Sequence, residues 1–300
     1  MQSYTSQKIG VRSRLSELKH LYRRHTGDVL PKVQVLVERL RDVESVVREH
    51  TGIEPRGLKM LDIGPGQKLY QMVYFARQND VTGIDLDVIA QGANPLDYVR
   101  MARVNGPVRT VKTVARKLLG SDAKFRHEMA KLLGQDLPRR LPVLQMDATR
   151  MGFPDAAFDF VYSFSAFEHL PEPGKVLDEV VRVLRPGGGV YISLHLYTAE
   201  NGCHDPRIFS GNRDDLPLWP HLRPAHQDKV RCNAYLNRLR LSEWQKLFEQ
   251  KMPGTRLVQL QYDNTHLRPL LKELREQGEL ADYTDDELLT VDLGAVWKNG

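Results

Sequence analysis

The stretch GLKMLDIGPG, residues 57–66, joins a short apolar run to a turn that contains two glycines. Its apolar residues, at 58, 60, 61 and 63, are typical of a strand that is buried on both faces of a parallel sheet. Gly64 and Gly66 follow where such a strand turns into a helix, and glycine lets the backbone approach a ligand that a side chain would block. The stretch therefore predicts the first strand, turn and helix of an α/β sheet, with a binding site at the turn.

Strands and helices alternate along the rest of the chain. Further strands are predicted at 81–85, 141–147, 158–164, 190–195, 255–263 and 288–298. Helices are predicted at about 67–78, 174–185 and 267–277, and RPGGG (185–189) is expected to end the second of these. This alternation predicts a mostly parallel sheet that is covered by helices on both faces.

Four regions define the expected domain organisation. Residues 1–56 are predicted to form an N-terminal helical cap, with a helix over 29–49 and a shorter one through Leu15 to Leu21, and 57–300 form the main domain. Within that domain, 88–140 and 196–241 are too long for ordinary connections between a strand and a helix. We expect the first to be a lid of two or three basic helices and the second to be a substrate loop region.

Composition narrows the class of protein. The 300 residues are 41% hydrophobic and 27% charged, which is typical of a globular chain. An apolar run of about 18 residues is missing, so no membrane span is expected. The first twenty residues lack the apolar core of a signal peptide, and Cys203 and Cys232 are too few for a disulfide framework. These features predict a cytoplasmic location.

The net charge of +5 is unevenly distributed. Residues 88–142 contain 11 basic and 4 acidic residues, whereas 143–200 contain 4 basic and 8 acidic residues. The basic segments thus frame a more acidic core, which favours an anionic small-molecule acceptor over a long polyanion.

A carboxylate after the second strand indicates a nucleotide-type ligand. Asp85 can accept hydrogen bonds from both hydroxyls of a ribose, as an acidic residue does in dinucleotide-binding folds. The dinucleotide fingerprint G-x-G-x-x-G, however, has Leu69 in place of its third glycine. A nicotinamide or flavin enzyme is therefore the less favoured interpretation.

Four motifs in order resemble the class I S-adenosylmethionine-dependent methyltransferases, and in particular the small-molecule subgroup called type 11. They are DIGPG (62–66), GIDLD (83–87), QMDATRMGFPDAAFDFVYSFSAFEHLPEP (145–173) and EVVRVLRPGGGVYIS (179–193). The resemblance covers about residues 57–197. It implies a Rossmann-like seven-stranded fold and S-adenosylmethionine as the cofactor.

The resemblance also implies a set of cofactor-binding residues. The turn residues Asp62, Gly64, Pro65 and Gly66 correspond to positions near the methionine part of the cofactor. Asp85 corresponds to the ribose ligand and Leu86 to a residue against the adenine. The remaining positions are Asp147 at the adenine amino group, Ala148 beside it, and Ser163 at the end of the fourth strand. Lys68 departs from the family pattern, which has a third glycine there.

Methyl transfer is an in-line displacement, so the protein mainly aligns the acceptor and excludes water. A hydroxyl acceptor also needs a base, and His169 is predicted for this role because it follows the fourth strand. Related sugar-modifying enzymes have a histidine at the matching position. His195 is the second candidate, and Glu168 is expected to position the substrate or the structure. No metal is expected, because the loop residues His204, Asp205, His221 and His226 show no ligand spacing.

The acceptor is predicted to be a hydroxyl of a polar small molecule such as a saccharide. Residues 163–166 read Ser-Phe-Ser-Ala, whereas enzymes that methylate exocyclic amines usually carry D/N-P-P-Y/F there. One alternative is a nucleic-acid-modifying methyltransferase whose 88–142 segment grips phosphates, although clustered stacking aromatics are few. A second alternative is a protein that binds S-adenosylmethionine without catalysis. The oligomeric state stays open.

Overall fold

The protein is represented by a computed structural model that describes residues 28–300 except 212, 214, 215, 233 and 261–263. The shorter helix predicted through Leu15 to Leu21 lies outside the described residues. The strands are β1 Lys59–Ile63, β2 Asp80–Asp85, β3 Val143–Gln145, β4 Phe158–Phe164, β5 Leu184–His195, β6 Arg256–Leu260 and β7 Asp292–Lys298. They form one seven-stranded sheet in the order β3-β2-β1-β4-β5-β7-β6.

Helices connect these strands. They are α1 Leu30–Thr51, α2 Tyr70–Phe75, α3 Pro95–Val104, α4 Pro107–Leu118, α5 Ser121–Leu133, α6 Pro173–Val183, α7 Pro206–Ser210, α8 Leu241–Lys251, α9 Arg268–Glu276 and α10 Asp285–Leu289. The pairs β1–β2, β1–β4 and β2–β3 are parallel. The predicted Rossmann-like fold is confirmed, and among the described residues no helix is long and apolar enough to cross a membrane.

Two element boundaries differ from the sequence prediction. RPGGG does not separate helix from strand, because β5 begins at Leu184, directly after α6. Gly187 donates its backbone N–H to Asn299 O at 2.6 Å, and Asn299 N–H donates to Gly188 O at 2.9 Å. These backbone hydrogen bonds pair the two glycines with Asn299, which lies more than one hundred residues later in the sequence, so the glycines extend β5.

The second difference concerns the predicted strand at 288–298, whose first residues belong to α10. Thr284 Oγ1 accepts the N–H of Glu287 at 3.2 Å, and Glu287 Oε2 accepts the N–H of Thr284 at 3.1 Å. This reciprocal capping box starts a helix in a stretch whose leucines also fit a strand. The strand therefore begins only at Asp292.

The described chain forms two compact units. The glycine-turn unit comprises residues 28–164, 175–191 and 296–300, and the histidine unit comprises 165–174 and 192–295. In the glycine-turn unit, α1 buries one valine and leucine face: Val33, Val37, Leu40, Val43 and Val47. Glu44 on α1 accepts hydrogen bonds from Tyr74 Oη and Arg77 Nη2, both at 2.9 Å. The core of the histidine unit is built around Trp219, Leu271, Leu274, Leu288 and Leu289.

Gly83 of β2 has no side chain, and this leaves room for Pro65, the residue between the two glycines of the turn. A Cβ at this position would lie 3.1 Å from both Pro65 Cγ and Met72 Sδ, which is closer than ordinary packing allows. We expect Gly83→Ala to lower the free energy of unfolding by about 1–3 kcal/mol, because overpacking displaces these neighbours. Urea denaturation measures the change.

Gly152→Ala is the matched control. Its Cβ would meet no atom closer than Met146 Cε at 3.7 Å, so the unfolding free energy should stay within about 1 kcal/mol of wild type. Equal effects of the two substitutions would contradict the close packing of Pro65 on β2.

Candidate cofactor site and histidine cluster

The glycine turn is tied to the carboxyl end of β2. Gly64 and Gly66 have φ values of 74° and 65°, a backbone region that a residue with a Cβ adopts at a cost. Gly64 N–H donates to Ile84 O at 2.9 Å, and Gly66 N–H donates to Asp85 Oδ2 at 3.3 Å. The positive φ angles turn the chain so that the backbone amides of both glycines donate hydrogen bonds to the end of β2.

Asp85 presents a half-buried carboxylate beside this turn. Its Oδ1 accepts the N–H of Asp87 at 2.9 Å, while Oδ2 accepts the N–H of Gly66. Each carboxylate oxygen has two lone-pair sites, so each can accept one further hydrogen bond. Burial raises the pKa of Asp85 to about 6. Two acceptors on adjacent oxygens match the two hydroxyls of a ribose.

Asp62 lies in the register position of β1 opposite Gly83 of β2. Its side chain is 1% exposed, and its Oδ2 has no hydrogen-bond partner among the described residues. Burial raises the pKa of Asp62 well above its ordinary value, although the nearby Tyr162 hydroxyl lowers it by hydrogen bonding, and the negative charge of Asp85 adds to the increase. Two neighbouring carboxylates therefore favour a ligand that brings positive charge or hydrogen-bond donors.

The other predicted cofactor residues follow β2, β3 and β4. Met146 N–H donates to Asp85 O at 2.9 Å, so the segment that leads to Asp147 and Ala148 lies beside the end of β2. Asp147 Oδ1 accepts both the N–H and the hydroxyl of Thr149 at 2.8 Å, which makes it a turn-forming carboxylate. Leu86 is 48% exposed and offers an apolar surface to a ring.

Ser163 and Lys68 differ from the implied roles in the contacts that they make. Ser163 is fully buried, and its hydroxyl donates to Ile63 O at 2.7 Å, which links β4 to β1. Lys68 is exposed, and its ammonium lies 5.8 Å from the centre of the Tyr70 ring. Leu69, the next residue, takes the left-handed conformation with φ 58° and is buried. The turn thus continues without the third glycine.

Helices α3 to α5 form the basic insertion as three helices, but their cations are largely used within the unit. Arg109 pairs with Asp87 at 2.6 Å and Arg116 with Asp122 at 2.9 Å, while Lys117 Nζ donates to Ala90 O. The core-type apolar residues of α4 point outward, since Val111 and Leu118 are 67% and 83% exposed. Thr110 and Thr113 are buried instead. The positions of valine and leucine in α4 therefore do not predict which face of the helix is buried.

A cavity of about 660 Å³ lies between the glycine turn and the insertion, within the glycine-turn unit. Its lining includes Gln67, Leu69, Tyr98, Lys117, Arg126 and Arg139. The cationic and aromatic side chains suit an anionic or hydroxyl-rich small molecule.

The histidine unit contains a separate cluster of polar side chains. Glu168 and His169 lie in a single turn of 3₁₀ helix, Phe167–His169, and His204 lies in the loop after β5. One potential ligand atom from each of these three residues lies within 4.8 Å of the other two. The ring centres of His169 and His204 are 5.0 Å apart.

In the cluster Glu168 is buried, whereas His169 and His204 are half-buried. Glu168 is 3% exposed, and no side chain among the described residues donates a hydrogen bond to its carboxylate, which only the backbone N–H groups of Glu168 and His195 approach as donors. Burial raises the pKa of Glu168 to about 7 and lowers that of His204 to about 3. His169 Nδ1 lies 2.8 Å from Tyr235 O, which holds the orientation of its ring. His204 has a φ of 54°, which is uncommon for a residue with a side chain.

His195 lies beside the cluster but is held on both sides. Its Nδ1 is 3.0 Å from Asp292 Oδ1, and its Nε2 is 2.8 Å from Asn201 Oδ1. Its ring centre is 5.1 Å from that of His204. With both ring nitrogens engaged, His195 is better suited to support the cluster than to act in it.

Two of the other loop residues considered from sequence, Asp205 and His221, make structural hydrogen bonds. Asp205 is buried and accepts Arg207 Nη2 at 2.7 Å and the N–H of Arg231 at 2.8 Å. His221 Nε2 lies 2.6 Å from Tyr197 O. Sequence reasoning missed the pairing of His204 with His169, because no spacing signal joins residues so distant in the chain. Their shared origin, in the loops that follow neighbouring strands β4 and β5, was the available clue.

A family model described as a methyltransferase domain matches residues 106–192. The glycine turn and Asp85 precede this match. A ubiquinone biosynthesis O-methyltransferase of Pseudomonas entomophila is 24% identical over 176 residues, covering 55% of this chain and 61% of the relative.

A sterol 24-C-methyltransferase of Neurospora crassa is 30% identical over 138 residues, covering 42% of this chain and 34% of the relative. The chain thus spans less than two thirds of the length of either curated relative. Among solved structures, a phosphoethanolamine N-methyltransferase 2 of Haemonchus contortus in complex with S-adenosyl-L-methionine aligns with a TM-score of 0.47. It is 15% identical, and the alignment covers 86% of this chain and 52% of that one.

The raised pKa of Asp85 leads to a prediction for the ligand-free protein. We expect its carboxyl group to titrate near pH 6, because burial disfavours the charged form. The folded state then prefers protonated Asp85, so stability from this residue is full below its unfolded pKa of about 3.8 and is lost as pH rises through 6.

Carbon NMR of aspartate-labelled protein measures the titration, and urea unfolding at pH 4 and 7 measures its effect on stability. Asp85→Asn should remove the titration and reduce the loss of stability between these pH values. An Asp85 midpoint at or below pH 4 would contradict the burial of this carboxyl group.

Proposed function

We propose that this chain, which carries a methyltransferase domain of the class I S-adenosylmethionine-dependent family, transfers the methyl group of that cofactor to a small-molecule acceptor. One observation carries the proposal. The half-buried carboxylate of Asp85 accepts the N–H of Gly66, so a group suited to accept hydrogen bonds from a ribose lies beside the glycine turn at the ends of β2 and β1. This pairing of features is what a nucleoside-containing cofactor requires.

The residues of the glycine-turn unit fit the parts of S-adenosylmethionine. Asp85 retains one acceptor site on each oxygen for the ribose, and Leu86 offers exposed apolar surface for the adenine. The orphaned Oδ2 of Asp62 suits the ammonium group of the methionine part. When bound, the cofactor supplies an electrophilic methyl group on a positively charged sulfur. The chain's task is to hold it and keep water away.

We further propose that the acceptor atom is a hydroxyl oxygen of a polar small molecule such as a saccharide. The names of the relatives include an O-, a C- and an N-methyltransferase, so they leave the acceptor atom open. Support for a polar or anionic acceptor comes from the cavity whose lining includes Tyr98, Arg126 and Arg139. Two free thiols, Cys203 and Cys232, are compatible with the proposed cytoplasmic location.

In this proposal His169 takes the proton of the acceptor hydroxyl. The ring is oriented by Tyr235 O, as a general base must be. Glu168, the adjacent buried acid, positions the site, while His195 is held by Asp292 and Asn201 and supports it. The nucleic-acid alternative loses ground because Arg109, Arg116 and Lys117 of the insertion are engaged within the unit.

Replacing Asp85 tests the cofactor assignment. We expect Asp85→Asn to weaken S-adenosylmethionine binding by about 10- to 150-fold. This is the loss of affinity expected when hydrogen bonds to a charged acceptor are weakened. Wild-type affinity should fall below about pH 6, as Asp85 becomes protonated, by up to about tenfold per pH unit. Titration calorimetry between pH 5 and 8 measures both effects.

Asp136→Asn, which changes an exposed carboxylate of the same unit, is the control and should bind like wild type. Unchanged affinity in Asp85→Asn, or tighter binding of NAD than of S-adenosylhomocysteine, would overturn the cofactor assignment.

Replacing His169 tests the chemical step. We expect His169→Gln to lower turnover by about 10²- to 10⁴-fold, since a positioned base contributes about that much, while cofactor affinity stays unchanged. Mass spectrometry of an oligosaccharide and polar-metabolite library incubated with labelled cofactor detects the product.

His127→Gln, at an exposed position on α5, should leave turnover unchanged. Full turnover in His169→Gln would remove the base assignment. Cofactor binding without any methylated product would favour the non-catalytic alternative, and methylated RNA would favour the nucleic-acid alternative.

A further inference from the structure

We propose that Glu168, His169 and His204 form a binding site for a divalent transition-metal ion. This departs from the expectation that no metal is bound. The use of such an ion in catalysis rests on the proposed methyl transfer, whereas its binding rests on the histidine unit alone.

The three side chains already converge. One ligand atom from each lies within 4.8 Å of the other two, and the rings of His169 and His204 are 5.0 Å apart. A tetrahedral zinc ion with bonds of about 2.0–2.1 Å holds its ligand atoms roughly 3.3 Å apart. Side-chain rotations that move each ligand atom by about 1 Å would therefore bring the three atoms to the spacing of a zinc site.

The carboxylate of Glu168 supplies a second, independent observation. It is 3% exposed, and no side chain among the described residues donates a hydrogen bond to either oxygen; only the backbone N–H groups of Glu168 and His195 approach it as donors. A buried carboxylate without a charged partner is costly, and such groups in proteins are paired or coordinate metals. A cation between Glu168 and the two imidazoles would provide that partner.

The surroundings orient these ligands as a second layer of contacts does in metal sites. Tyr235 O can only accept a hydrogen bond, so Nδ1 of His169 carries the proton and Nε2 of the neutral ring carries the lone pair. His204 is held at a φ of 54°, a conformation that persists only where the surrounding structure imposes it. His195, fixed by Asp292 and Asn201, packs beside His204 at 5.1 Å.

The donor set indicates the class of ion. Two imidazole nitrogens and one carboxylate suit zinc and its neighbours iron, cobalt and nickel, whereas magnesium and calcium prefer oxygen ligands alone. Three protein ligands leave a position for water or for an acceptor hydroxyl.

A hydroxyl bound to such an ion would have a lowered pKa and would lose its proton more readily. Where the ion is bound, His169 is its ligand, and this role replaces the role of base that the proposed function gives to His169.

Metal binding is measured directly, without an activity assay. The full chain is stripped with a chelator and titrated with Co²⁺, followed by visible absorption and by calorimetry with Zn²⁺. We expect one ion per chain, the absorption of four-coordinate Co²⁺, displacement of Co²⁺ by Zn²⁺, and a rise in melting temperature with Zn²⁺.

Glu168→Gln keeps the size of the side chain, and His204→Ala removes one imidazole. Each should lower metal affinity at least tenfold, while His127→Ala, at an exposed histidine outside the cluster, should leave it unchanged. Circular dichroism confirms that each variant is folded. The metal site would be refuted if wild type bound Co²⁺ or Zn²⁺ no more tightly than His204→Ala does. It would also be refuted if His127→Ala lost as much metal affinity as the two ligand variants.

The metal and methyl-transfer proposals fail in different ways. A wild type that binds S-adenosylmethionine and methylates an acceptor but binds no Co²⁺ or Zn²⁺ refutes the metal site alone. One Co²⁺ bound per chain, with loss in the two ligand variants, supports the metal site even if the proposed methyl transfer fails.

Discussion

The parallel pairing of β1 with β2 on one side and β4 on the other is the constraint on which the candidate cofactor site depends. Parallel strands end at the same edge of a sheet, so the turn after β1 meets the side chain that ends β2. Two hydrogen bonds join the turn to the end of β2, from Gly64 N–H to Ile84 O and from Gly66 N–H to Asp85 Oδ2. Ser163 on β4 adds a third tie through Ile63 O.

Burial of carboxylates is the common feature of the two candidate sites. Asp62 and Asp85 in the glycine-turn unit, and Glu168 in the histidine unit, all have a pKa raised by burial. Each of these side chains costs free energy in the ligand-free protein unless donors or a cation compensate. A nucleoside cofactor with a positive charge would compensate the first two, and a metal ion would compensate the third. Carboxyl groups whose pKa is raised by burial therefore mark the places where a ligand with donors or positive charge is expected.

Local patterns were a sound guide to the fold wherever neighbouring residues decide the structure. The apolar run before Gly64, the glycine turn and the carboxylate that ends β2 were all identified from sequence, as was the helix that became Leu30–Thr51. The two errors have different causes. Gly187 and Gly188 belong to β5 because they form backbone hydrogen bonds with the distant Asn299. The start of the last predicted strand is instead helix α10, because the local capping box of Thr284 and Glu287 outweighs a leucine pattern that also fits a strand.

The sequence by itself determined the fold class, the glycine turn and the position of an acidic residue at the end of β2, because each depends on residues close together in the chain. Only the tertiary structure decided that the valines and leucines of α4 face outward, and that His204 joins Glu168 and His169. Helical periodicity shows which residues share a face but not which face packs inward. Likewise, loop histidines have no spacing rule, and their convergence is set by the strands from which the loops depart.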